Sequence, residues 1–115
     1  MIPGLLFMKN EVILQKMYAY VTKILRYCDG YTYDRFSSDS KLVEACVFNL
    51  SQLGELCRNA DDQYVAEHSE IPWKAMYGLR NRIVHDYEGV NLKLVWDIIS
   101  EDLPLLEKIL YELQQ

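Results

Sequence analysis

Arg80, Asn81, His85 and Tyr87 lie close together in the stretch Ile71 to Tyr87, which reads IPWKAMYGLRNRIVHDY. An arginine side chain is a planar, permanently charged fork that can hold two oxygens of one anion. A histidine, with an ordinary pKa of about 6.5, gives or takes a proton near neutral pH. An asparagine amide beside them can orient the anion or fix the imidazole in one tautomer. The tyrosine adds a phenol. Such a set suits proton transfer at an anionic centre.

Whether the four groups can meet depends on the element that carries them. Pro72 suits the first position of a helix, where its missing N–H is no loss. Glu88-Gly89 reads as a stop. With about 100° per residue from Trp73 to about His85, Met76, Leu79 and Ile83 form one apolar stripe. Tyr77, Arg80, Asn81, Val84 and His85 fall on the adjoining sector, with Asn81 above His85 at i, i+4. Tyr87 joins Arg80's side if the helix runs that far. Lys74 and Arg82 point elsewhere and are expected at the surface. Spacing alone leaves a plainer alternative open. Arg80 could anchor an interface through Glu55 or another carboxylate, and His85 could cap the helix C-terminus as a cation.

The rest of the chain reads as helices. From about Gly4 to Asp29, apolar residues recur at three- and four-residue steps, and Asp29-Gly30 ends the run. Met1 to Phe7 continues it or hangs loose. Tyr18, Tyr20, Tyr27, Tyr31 and Tyr33 crowd this region, either as packing or as an interface belt. Tyr31 to Ser38 has no apolar period and reads as a connector. Ser37, Ser38, Asp39 and Ser40 compete to cap a second helix, whose inner face runs from Leu42 through Leu50 and Leu53 to Cys57 and about Ala60. Gly54 in its middle costs about 1 kcal/mol relative to alanine, which suggests close approach by another helix. Asp61-Asp62 and Glu67 to Glu70 form an acidic, short-helical or looped connection, with His68 an exposed bystander. Asn91 caps a last helix with a long apolar stripe, bent or split at Pro104. The expected fold class is all-α: a single domain spanning residues 1–115, built as an up-and-down four-helix bundle with a fifth short helix in play.

Composition narrows the function. The 115 residues are half apolar or aromatic and one quarter charged, with a net charge of −5, as expected of an ordinary globule. Few spare Lys and Arg argue against a protein that coats nucleic acid, since such binding rests on neutralised phosphates. A local cluster gripping one phosphodiester is still compatible. Cys28, Cys46 and Cys57 lack C-x-x-C spacing and read as buried free thiols rather than metal ligands or a disulfide. With only His68 and His85 besides, no metal site and no cofactor is expected. Met1 to Met8 is apolar but lacks the basic start of a signal peptide. No apolar run approaches the roughly 20 residues of a membrane span. A cytoplasmic location is expected.

Arg80-x4-His85-x-Tyr87, preceded by Ile71-Pro72-Trp73 and followed by Asp97 to Leu106 (DIISEDLPLL), resembles the HEPN-domain toxins of the HepT type. Gly54-Glu55 and the Phe36-x-x-Asp39 spacing are similar too, and the resemblance covers nearly the whole chain from about Val12. It implies a HEPN four-helix bundle that dimerises so that two motifs face one cleft. It implies a metal-independent endoribonuclease in which Arg80 binds the scissile phosphate, His85 is the general acid or base, and Asn81 supports them. It further implies a cognate nucleotidyltransferase antitoxin of the MntA type, which attaches AMP to Tyr87. A non-catalytic HEPN adaptor, binding nucleotide or substrate for a partner nucleotidyltransferase, is the alternative; the acidic charge favours it.

Overall fold

A computed structural model gives the backbone of residues 3–84 and 91–115, with every side chain among these except those of residues 3–8, 80 and 84. Helix α1 spans Pro3–Tyr27, so the chain is helical from its first described residue. Its core stripe is Ile13, Leu14, Met17, Val21 and Ile24. Beyond it, Gly30 adopts φ +76°, a left-handed conformation that glycine takes without steric cost.

The segment from Tyr31 to Ser38 is not a plain connector. Tyr33–Ser37 forms a short helix, α2, capped by Thr32, whose Oγ1 accepts the Arg35 N–H at 3.2 Å. Five residues are too few to display an apolar period, which is why the pattern is silent there. Phe36 is the anchor. It is fully buried, with its ring 5.1 Å from that of Trp96.

Helix α3 spans Ser40–Arg58. Of the four rival caps, Asp39 takes the position, accepting the Leu42 N–H at 3.1 Å. Ser37 and Ser38 instead donate back to the Asp34 carbonyl at 3.2 and 2.9 Å. The acidic connection contains helix α4, Asp62–Glu67, capped by Asp61. Helix α5 is Trp73–Val84. Pro72 precedes it by one residue, and the Pro72 carbonyl accepts the Met76 N–H at 3.0 Å.

Asn91 caps α6, Leu92–Asp97, by accepting the Leu94 N–H at 3.0 Å. A π-turn at Ile98–Asp102 then leads into α7, Leu103–Leu113. Pro104 offers no N–H, and its ring would press on the carbonyl one turn back. The widened turn just before it absorbs that conflict, so the helix continues without a break.

Helix α3 packs most extensively against α5 and then against α1, while α1 also packs against α7. The Asp61 N–H meets Asn10 Oδ1 at 3.5 Å, and Cys28 Sγ lies 3.6 Å from Cys46 Sγ. Those two contacts set α1 and α3 antiparallel. Arg58 lies over the Tyr77 ring, 6.0 Å from its centroid, and sets α5 antiparallel to α3. With the α6–α7 rod as the fourth member, the architecture is an all-α, HEPN-like helical bundle. No strand occurs among the described residues. None of their helices is long and apolar enough to cross a membrane.

All three cysteines are free and buried. Burial pushes the Cys57 thiol up to about 12. The hydrogen bond between Cys46 and Cys28 pushes Cys46 upward, with burial adding to the effect. The same contact draws Cys28 downward, against its own burial.

Phe36 joins α2 to α6 from the base of the core. Its replacement by alanine leaves a cavity and is expected to cost about 3–5 kcal/mol, read as a lowered urea midpoint. A loss under 1 kcal/mol would show that α2 is not anchored there.

Candidate active site

Helix α5 is held at its start and along one stripe, and these two constraints fix the direction of its other faces. At the start, Trp73 is buried and its Nε1 donates to the His68 carbonyl at 2.9 Å. The Tyr64 ring stacks on His68 at 4.0 Å and meets Trp73 edge-on at 6.2 Å. His68 is therefore half-buried in a helix corner rather than an exposed bystander. Its Nδ1 faces the Tyr64 carbonyl at 3.0 Å, which requires that nitrogen to carry the proton. Burial, with Glu70 and Glu11 nearby, raises the Tyr64 hydroxyl above its ordinary value.

Along the helix, Met76, Leu79 and Ile83 are all buried, as the spacing requires. With that stripe turned inward, the advance of about 100° per residue places position 80 on the flank toward α3 and position 82 on the opposite flank. Tyr77, on the same side as position 80, is 45% exposed and lies beside Arg58 of α3. One turn further along α5, and one turn back along antiparallel α3, position 80 reaches the level of Gly54 and Glu55. Gly54 is buried, in keeping with close packing of α3 against its neighbours.

The sequence-predicted set is thus placed in part. The backbone of Arg80 belongs to α5, Asn81 is exposed, and His85 and Tyr87 lie outside the described residues. Lys74 and Arg82 are exposed, as expected. Arg82 borders a separate apolar groove between α5 and the α6–α7 rod, with Glu70 and Asp102 also on its lining. Among the described residues no group of three or more His, Cys, Asp or Glu could hold a metal ion.

Glu55 is half-buried and lines a cleft between α1 and α3 together with Lys16, Tyr20, Lys23, Gln52 and Asn59. The sequence leaves Tyr20 between packing and an interface belt and does not single out its neighbours. The available signal is the i, i+4, i+7 spacing of Lys16, Tyr20 and Lys23, which puts all three on one helix face.

Residues 17–113 match the family described as Ribonuclease HepT-like. The chain belongs to that family. A Caldanaerobacter subterraneus subsp. tengcongensis protein, provisionally named an RNase, is 33% identical over 103 residues, covering 84% of this chain and 92% of its own. A Methanocaldococcus jannaschii protein, also provisionally named an RNase, is 31% identical over 81 residues, covering 70% of this chain and 67% of its own. A Thermococcus cleftensis protein named "Probable ribonuclease HepT" is 32% identical over 75 residues, covering 65% and 68%. No solved structure matches the chain. The match includes α5 and the rod after it, so the HepT-like family shares the element that carries Arg80.

If the Trp73 bond orients α5, Trp73→Phe should keep the apolar packing and lose the Nε1 donor. The expected destabilisation is about 1–2 kcal/mol, measured by urea denaturation. An unchanged midpoint would show that the corner is held by packing alone.

Proposed function

We propose that this HepT-like chain is a metal-independent endoribonuclease, the toxin of a toxin–antitoxin pair. Its site forms in a homodimer, where two copies of the motif face one cleft. Arg80 binds the scissile phosphate and offsets the charge that builds up on it. His85 moves the proton of the attacking 2′-OH or of the leaving 5′-oxygen. Asn81 orients the phosphate or the imidazole. What supports this reading is that a chain of the HepT-like family carries Arg80-x4-His85-x-Tyr87, with the backbone of position 80 in α5.

One motif arginine and one motif histidine per chain are few for a reaction that needs a base, an acid and charge stabilisation together. A two-fold axis supplies each group twice. Tyr87 provides the control. An antitoxin nucleotidyltransferase that attaches AMP to its hydroxyl puts negative phosphates at the cleft, where they compete with RNA for Arg80.

Expression in a bacterium of the wild type, Arg80→Ala and His85→Ala, with growth and RNA integrity followed, tests the catalytic assignment. The wild type should arrest growth and degrade RNA. Loss of His85 should lower cleavage by about 10²–10⁴-fold, and Arg80→Ala should abolish toxicity. Toxicity that survives both substitutions would overturn the assignment.

For the control, incubation with the cognate nucleotidyltransferase and ATP should add AMP to Tyr87, seen by peptide mass spectrometry and absent in Tyr87→Phe. Modification of a different residue would contradict it.

The net charge of −5 favours a second reading, a non-catalytic adaptor that presents nucleotide or substrate to the nucleotidyltransferase. A non-toxic wild type that still binds the nucleotidyltransferase would support the adaptor.

A further inference from the structure

Lys16 and Lys23 are seven residues apart on α1, so their stems leave the same face of the helix, about 10 Å apart along its axis. Both are exposed, and Tyr20 sits half-buried between them with Lys23 Nζ 5.8 Å from its ring centroid. Across from them stand Gln52 and Glu55 of α3 and its C-cap Asn59, lining a cleft of about 460 Å³. Lys93, by contrast, pairs with Asp97 at 3.1 Å. Neither Lys16 nor Lys23 forms an ion pair among the described residues. In a chain carrying 12 basic against 17 acidic side chains, two lysines flank one aromatic ring and outnumber the one carboxylate of the lining, Glu55, which leaves the cleft positive on balance. Glu55 also belongs to α3, the helix that packs most extensively against α5.

We infer that this cleft holds the backbone of single-stranded RNA beside the bond to be cut. Lys16 and Lys23 each take one phosphate, and Tyr20 offers a ring for a base. Gln52 and Asn59 supply amide donors and acceptors that a base edge or 2′-hydroxyl can use. An acidic protein segment would use the lysines but leave the ring and amides without a role, so RNA fits the whole lining better. The choice of RNA rests on the ribonuclease reading above.

The test is fluorescence anisotropy with a 2′-O-methyl oligoribonucleotide, which lacks the attacking hydroxyl, so binding is read apart from cleavage. Three proteins are compared over a salt series: wild type, Lys16→Ala/Lys23→Ala, and Lys93→Ala/Lys108→Ala, which removes equal charge from α6 and α7. Each single-strand phosphate contact contributes about 0.7 to the slope of log affinity against log salt. The cleft variant should have a slope shallower by about 1.4. Wild type's advantage over it should therefore shrink about sevenfold between about 50 and 200 mM salt.

The control pair should track wild type. Equal slopes for wild type and the cleft variant, or the same loss in the control pair, would overturn the inference. So would displacement of the RNA by polyglutamate at matched charge, which would mark the cleft as a surface for acidic protein. Cleavage that needs Arg80 and His85 beside an unaltered slope in the cleft variant sinks this inference and leaves the ribonuclease reading standing. A shallower slope in a protein that cuts nothing does the reverse.

Discussion

Helix α3 must bury two flanks at once, one against α1 and the other against α5. Leu50, Leu53 and Cys57 fill the interior, and Gly54 is buried among them. A glycine inside a helix costs about 1 kcal/mol of propensity. Gly54 nonetheless sits buried in the helix that packs most extensively against α5, the element to which the backbone of Arg80 belongs. The inward stripe of Met76, Leu79 and Ile83 sets the rotation of α5.

Around that constraint the polar groups are distributed rather than pooled. Several tyrosines near α1 have separate neighbours. Tyr18 packs near Tyr111 at 6.2 Å, Tyr31 lies under Arg35 at 4.4 Å, and Tyr33 lies under Lys93 at 5.2 Å. Such aromatic and cation–π contacts give modest local stabilisation. Tyr20 opens into the cleft between α1 and α3, and Tyr31 lines a separate hollow with Arg35, Asp39 and Lys41. The chain is acidic as a whole, with a net charge of −5, which argues against coating a polyanion.

The long helices were legible in the sequence because their apolar residues repeat over many turns. Asp29-Gly30, Asn91 and the stripe of α5 all act through local chemistry that a sequence displays. What stayed hidden depended on distant partners. Phe36 is one aromatic residue in a five-residue helix, and its meaning comes from Trp96, sixty positions away. His68 looks idle in the sequence because its partners, Tyr64 and Trp73, matter only once α4 turns onto α5. Cys28 and Cys46 give no spacing signal, yet the antiparallel register of α1 and α3 brings their sulfurs to 3.6 Å. At the site, the helix that carries Arg80 and its buried stripe were legible from period alone. The cleft of Lys16, Tyr20 and Lys23 was not, since half of its lining comes from α3.

The central claim is that one working site requires two copies of the motif. Subunit mixing tests it most directly. Wild type and the inactive Arg80→Ala/His85→Ala chain are exchanged at constant total protein, and RNA cleavage is measured against the wild-type fraction. If both copies are needed, activity falls with the square of that fraction. A fall in simple proportion would mean that each chain works alone, and would contradict the shared cleft.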